Sequence, residues 1–248
     1  MTKISIKKNK SLELSIPDFV CDHNPIGEHL NKYDMLGHLN NYGCNAFIGK
    51  PGSGKTSLVV SFLKGKKDKK IFRKCFNHIL LVMPESSRKS MKKNIFEKHD
   101  EDKMFEELDS KTISTIYEKL LESSAEKENT LLILDDVGAS LKNAEVQQIM
   151  RRIIFNRRHL KCQILILLQS YLSCPLTVRK LFTNVFMFKP SKKEFEVLFD
   201  ELFEQKKEYA LEIMQYAFKE PHDYIMLNVD SQRIFKKFDE LIIENNED

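Results

Sequence analysis

The stretch FIGKPGSGKTSLVVSF, residues 47–62, constrains this chain more than any other. It sets Gly49, Gly52 and Gly54 between two apolar runs, in a chain with only 8 glycines among 248 residues. Gly49-Lys50-Pro51-Gly52-Ser53-Gly54-Lys55-Thr56 fits G-x-x-x-x-G-K-[ST] without a mismatch. CNAFIG before it reads as a buried strand, and GKTSLVVSFLKG after it as a helix. Glycines there let the backbone take positive φ and approach an anion with no Cβ in the way. Successive N–H groups then form a concave nest, and the following helix adds its N-terminal partial charge. The expected nucleotide-binding residues are Gly49, Pro51, Gly52, Ser53, Gly54, Lys55, Thr56 and Ser57. Lys55 is expected on the β- and γ-phosphates of ATP, the Thr56 hydroxyl on Mg²⁺, and Ser57 on the α-phosphate.

The rest of the chain repeats the strand-then-helix pattern. HILLVM, TLLILDDV, CQILILLQS and NVFMFKP are short continuous apolar runs, the mark of strands buried on both faces. Between them, TISTIYEKLLESSAEKEN places Ile113, Ile116, Leu120 and Leu121 at helical spacing. NAEVQQIMRRIIFNRRH does the same with Val146, Met150, Ile153 and Ile154. KKEFEVLFDELF and EYALEIMQYAF read as helices, and DYIMLNVD with QRIFKKF as a closing hairpin. KISIKKNKSLELSI reads as one or two strands with a turn. The expected fold class is α/β, a P-loop NTPase with a mostly parallel central sheet and helices on both faces. One domain over 1–248 is the simplest reading, with a core at about 40–200.

TLLILDDV ends in two acids, the Walker B pattern. In a parallel sheet such a strand end faces the ligand crevice. Asp135 is expected to hold Mg²⁺ through a coordinated water. Asp136 is expected to act as the general base toward the attacking water, because the cation pins its neighbour as an anion. A second acid implies hydrolysis. The run FNHILLVM, lying between the phosphate-loop helix and Walker B, reads as an extra strand. By fold analogy that is the architecture of additional-strand, RecA-like motor ATPases. Gln169, at the tip of CQILILLQS, is placed to sense the γ-phosphate.

IMRRIIFNRRH offers Arg151, Arg152, Arg157 and Arg158. Arg157 would interrupt the apolar face if the helix reached it, so the helix is expected to end near Asn156. Arg157 and Arg158 then sit in the exit loop, where either could reach a neighbouring subunit's γ-phosphate as an arginine finger. Surface ion pairing is the competing reading, and Arg179 is a further candidate.

A net charge of +4 permits a polyanionic partner without demanding one. The basic clusters at 64–70 and 88–93 read as solvated surface, with a DNA-facing loop as the alternative. Five widely spaced cysteines form no C-x-x-C pair, which argues against a disulfide framework or zinc knuckle, and Cys21 with His23 lacks a second ligand pair. The charged start lacks the apolar core of a signal peptide, and no apolar run approaches the ~18 residues of a membrane span. A reducing intracellular compartment is expected.

GKPGSGKTS, LLILDDV, the paired arginines of FNRRH, and ILILLQS followed by LFTNVFMFKPSKKE together resemble the FtsK/HerA superfamily. They look most similar to the poxvirus-type DNA-packaging ATPases of large DNA viruses and virophages. The resemblance covers roughly residues 40–200. It implies a ring of five or six copies that pumps double-stranded DNA into a capsid by hydrolysing ATP, with capsid proteins as further partners. It also implies residence in host cytoplasm or a viral factory, with the virion a further option. Cellular members usually carry Asp-Glu at Walker B, so Asp136 is one methylene shorter than their base. The alternatives are a helicase or helicase loader, which would prefer single strands or forks, and a nucleotide-dependent assembly switch, indifferent to DNA.

Overall fold

The computed structural model describes residues 26, 37–39, 42–64, 71–89, 95–203 and 207–242. The strands read in KISIKKNKSLELSI lie outside the described residues, as do Cys21, His23 and most of both basic clusters. The apolar runs form β1 (Cys44–Ile48), β2 (His78–Val82), β4 (Thr130–Asp135), β5 (Cys162–Leu168) and β6 (Asn184–Phe188). A two-residue β3 (Met104–Phe105) pairs with the end of β2. The closing hairpin is β7 (Tyr224–Asn228) and β8 (Arg233–Lys236), followed by a short β9 (Asp239–Glu240).

These strands make one sheet in the order β3-β2-β4-β5-β1-β6-β7-β8-β9. All pairings from β3 through β6 are parallel, and those from β6 to β9 are antiparallel. The expected strand between the phosphate-loop helix and Walker B is present as β2, but it is not the one that separates the two motifs in space. β2 lies outside β4, and β5 is inserted between β1 and β4. Sequence order cannot reveal this, because every one of these strands is a buried apolar run of similar strength.

The helices are α1 (Lys55–Lys64), α2 (Glu85–Lys89), α3 (Ser110–Ala125), α4 (Ala144–Asn156), α5 (Leu176–Arg179), α6 (Lys192–Leu202) and α7 (Lys207–Ala217). Alternate strand residues face two separate cores. Ala46, Leu132, Leu134, Ile164 and Ile166 meet α3, α4, α6 and α7 on one face. Phe47, Leu131, Ile133, Leu165 and Phe186 meet α1 on the other. Asp109 and Asn143 cap α3 and α4, and α4 stops at Asn156. Of the expected apolar face of α3, Leu121 is not buried but 45% exposed, because it stands about 100° round the helix from Leu120, which is fully buried with Ile113 and Ile116.

Two features fix β1 against its neighbours, one near each strand end. Phe47 of β1 stacks on Phe186 of β6 at 4.5 Å, and Phe62 of α1 meets both edge-on at 6.0 and 5.7 Å. Burying a phenylalanine is worth about 1.5–3 kcal/mol, so this trio fixes α1 against the strand that feeds its loop. At the opposite strand ends, Asn228 Nδ2 donates to Asn184 Oδ1 and Asn184 Nδ2 to Asn45 Oδ1, both at 2.7 Å. This buried amide ladder crosses β7, β6 and β1, and a one-residue slip in register would leave its groups unpaired.

Candidate nucleotide site

The carboxyl ends of β1, β5 and β4 lie side by side, and each delivers one part of the site. Gly49 N donates to Leu168 O at 3.1 Å, and Asp136 N donates to Leu167 O at 3.2 Å. The end of β5 is therefore hydrogen-bonded to the phosphate loop on one side and to the Walker B acids on the other.

The loop has the geometry that its residue types require. Gly52 and Gly54 adopt φ of +75° and +107°, in the region that disfavours a Cβ. At Gly49 the constraint is space, since a Cβ would stand 2.7 Å from Ser53 Oγ and 2.8 Å from Phe188 Cβ. Ser53 N closes the turn on Lys50 O at 3.1 Å, and α1 begins at Lys55. Lys55 Nζ donates to the carbonyls of Gly49 at 2.6 Å and Lys50 at 3.1 Å. Burial lowers the pKa of this ammonium, while Asp135 and Asp136 pull it back up. Among the described residues, Ser53 Oγ is buried without a hydrogen-bond partner, an orphan that a phosphate oxygen in the nest would satisfy.

Asp135 ends β4 and is 8% exposed. Burial pushes its carboxyl pKa up to about 6, Lys55 draws it down, and Asp136 raises it. Asp136 leaves the strand at φ +56°, a left-handed conformation that aspartate tolerates better than most residues. Its exposed carboxylate accepts from Gln169 Nε2 at 2.8 Å. The expected base and the expected sensor are thus in direct contact.

Among the described residues no group of three or more His, Cys, Asp or Glu gathers as a metal cage. The oxygen donors present, one costly buried carboxylate and the Thr56 hydroxyl next to Lys55, suit a hard cation that takes its remaining ligands from phosphate and water. They fit Mg²⁺.

The arginines stand elsewhere. Arg157 O accepts from Cys162 N, the first residue of β5, at 2.8 Å, whereas Gln169 follows its last. Seven strand residues put about 20 Å between them, so Arg157 and Arg158 cannot reach their own chain's phosphate loop. Arg157 is half-buried and donates through Nη1 to Ile154 O at 3.0 Å, whereas Arg158 is exposed. Arg179 is committed within its own chain, with Nε on Glu201 Oε2 at 2.7 Å and Nη1 on Cys174 O at 3.0 Å. Arg88, read as part of a solvated basic cluster, is mostly covered: its side chain is 17% exposed and pairs with Glu106 at 3.2 Å.

Sequence reasoning missed the other wall of the loop. An open cavity of about 380 Å³ lies against Lys50–Ser53 on the β6–β7 side, walled by Phe188, Lys189, Pro190 and His222. His222 Nδ1 lies 3.0 Å from Ser53 O. The P-H-D turn that carries His222 looks like any surface turn in sequence, and only the antiparallel return of β7 beside β6 brings it to the loop. Glu194 was missed too, although Ser191-x-x-Glu194 is a capping-box pattern that marks a helix start.

A model of the Poxvirus A32 protein family matches residues 31–248. No curated protein matches the chain. Among solved structures, it is similar to the genome packaging NTPase B204 from Sulfolobus turreted icosahedral virus 2 in complex with ATP-gammaS. That match has 14% identity and a TM-score of 0.57, over 79% of this chain and 96% of that one. The DNA-packaging ATPase B204 from Sulfolobus turreted icosahedral virus matches at 16% identity and a TM-score of 0.59, over 82% and 98% of the two chains. The cytoplasmic domain of the Thermomonospora curvata type VII secretion ATPase EccC matches at 11% identity and a TM-score of 0.50, over 84% of this chain and 27% of that one. At these identities the likeness is one of fold.

Proposed function

The chain belongs to the poxvirus A32 protein family, and from that premise we propose that it is an ATP-hydrolysing motor that translocates double-stranded DNA, packaging a viral genome into a capsid. The observation that carries hydrolysis is the meeting of Lys55, Asp135, Asp136 and Gln169 at the ends of three adjacent strands, and the DNA-packaging part of the reading is supported by the family and by the fold shared with a DNA-packaging ATPase. The B204 packaging NTPase, similar in fold, has been solved with ATP-gammaS and AMPPCP, which supports ATP as the ligand here.

In this reading the triphosphate lies in the nest of residues 49–57, with its γ end toward Asp136. Its nucleoside runs the other way, toward the cavity beside His222. Lys55 exchanges the carbonyls of Gly49 and Lys50 for the β- and γ-phosphates. Thr56 and Asp135 would hold Mg²⁺, which would neutralise charge on the phosphates. Asp136 takes a proton from water as its oxygen attacks the γ-phosphorus. The bond to the bridging oxygen breaks and ADP leaves. Gln169 orients that water and registers the loss of the γ-phosphate.

The motor is a ring of five or six copies, in which an arginine of one copy, Arg158 before Arg157, faces the next copy's γ-phosphate. Displacement of a third strand from triplex DNA tests the reading. ATP-dependent displacement from a blunt duplex supports a translocase. Activity only on forked or single-stranded substrates would make the chain a helicase instead.

A further inference from the structure

The segment that carries Gln169 away from the sheet is held by two carboxylates of one helix. Glu194 Oε1 accepts from Ser170 Oγ at 2.6 Å and from the Tyr171 backbone N–H. Seven residues on, and so on the same face of α6, Glu201 Oε2 accepts from the Tyr171 hydroxyl at 2.8 Å and from Arg179 Nε at 2.7 Å. Segment 170–179 is clipped to α6 at both ends.

Glu194 is the more telling of the two. It is 9% exposed, a degree of burial that a carboxylate tolerates only when it is well bonded. Ser191 caps α6 by accepting from Glu194 N at 3.3 Å, which is half of a capping box. The Glu194 carboxylate, however, grips the two residues that directly follow Gln169. The helix N-terminus favours the negative charge that it brings there.

We propose that Glu194 is a positioning residue for hydrolysis: by holding Ser170 and Tyr171 it fixes the direction in which Gln169 leaves β5, and so keeps Gln169 Nε2 on Asp136. The contact needs this support. Gln169 is exposed, and a free glutamine side chain loses up to about 2 kcal/mol of rotamer freedom when it is fixed. Asp136 is held by its own backbone bond to Leu167 O, so the position of Gln169 is what a loosened segment would change. The proposal rests on the reading of this site as an ATPase.

A double-mutant cycle on the full chain tests it, with kcat and KM for ATP measured for the native chain, Glu194→Ala, Gln169→Ala and the pair. Glu194→Ala should lower kcat about tenfold or more with KM changed less than about twofold, and should add nothing in the Gln169→Ala background. An equal loss in both backgrounds would show that Glu194 acts by another route and overturn the proposal, as would an unchanged kcat. Ser170→Ala removes one arm of the grip from the other side and should give a smaller loss of the same kind. It serves if Glu194→Ala fails to fold. Hydrogen exchange over residues 168–174 supplies a readout independent of turnover. Exchange should accelerate in both variants, and unchanged protection there would refute the grip. If the native chain hydrolyses no ATP, the proposed function falls, while the exchange result still decides whether Glu194 holds the segment.

Discussion

Gln169 Nε2 donates to Asp136 Oδ1 across 2.8 Å, joining the tip of β5 to the acid that follows β4. The bond exists because β5 is inserted between β1 and β4, so the residue after each strand emerges beside its neighbour. With the amide nitrogen on Asp136, the amide oxygen of Gln169 is left to accept from a water.

Asp136→Asn should keep ATP binding within about twofold and lower kcat by a factor of 10²–10⁴, the range of general-base catalysis. Gln169→Ala should lower kcat by a smaller factor, with KM little changed. Steady-state phosphate release, together with equilibrium binding of a non-hydrolysable ATP analogue, separates the two effects. Undiminished turnover in Asp136→Asn would remove it as the base.

Asp135 gives an opposite pair of effects in one variant. Its pKa is raised from 3.8 to about 6, so between those values the folded chain binds more protons than the unfolded one. Its contribution to stability therefore falls as pH rises from about 4 to 6 and stays low above that. The rise sets an upper bound of about 3 kcal/mol. Asp135→Asn should accordingly raise the unfolding midpoint of the nucleotide-free protein at pH 7.5, and much less at pH 4. The same variant should lose the added stability that Mg²⁺ with ATP gives the native chain, as thermal melts at both pH values would show.

Lys55→Ala should weaken nucleotide binding at least tenfold, because it removes from the glycine loop an ammonium that lies close enough to Asp135 and Asp136 to feel both charges. The fold should survive, since among the described residues the Lys55 ammonium bonds the carbonyls of its own loop. Fluorescent-nucleotide titration with a circular dichroism control checks both halves.

Arg158→Ala and Arg179→Ala should fail differently. Arg158 is exposed, so its loss should leave the unfolding midpoint unchanged and lower turnover only in assembled protein, with recovery when copies carrying Arg158 are mixed in. Arg179 is part of the pairing with Glu201 and lies 5.0 Å over the Tyr171 ring. Its removal should cost about 3–5 kcal/mol, the range for breaking a mostly buried ion pair.

Much of this site was legible because its chemistry demands rare residue types in fixed order. Three glycines, Lys55 and Thr56 leave few alternatives, and Asp135-Asp136 after TLLIL is a strand ending at a crevice. The end of α4 at Asn156 was legible for a similar reason, since Arg157 breaks an apolar stripe. Spatial order was not legible. TLLIL, CQILILL and HILLV are interchangeable as buried strands, so which one separates phosphate loop from Walker B is decided by tertiary packing. Asn45, Asn184 and Asn228 lie on three strands far apart in sequence and form one ladder only through the pairing of those strands. Glu194 and His222 act across long sequence separations, through Ser170 and Ser53, which no local pattern encodes.

The measurement that bears most directly on the proposed motor function is the ATP hydrolysis rate of the full chain with Mg²⁺, alone, with single-stranded DNA and with duplex DNA, across a salt series. A translocase that tracks the phosphate backbone predicts strong stimulation by duplex, weaker stimulation by single strands, and stimulation that falls steeply as salt rises. Turnover that ignores DNA at every salt concentration would contradict it.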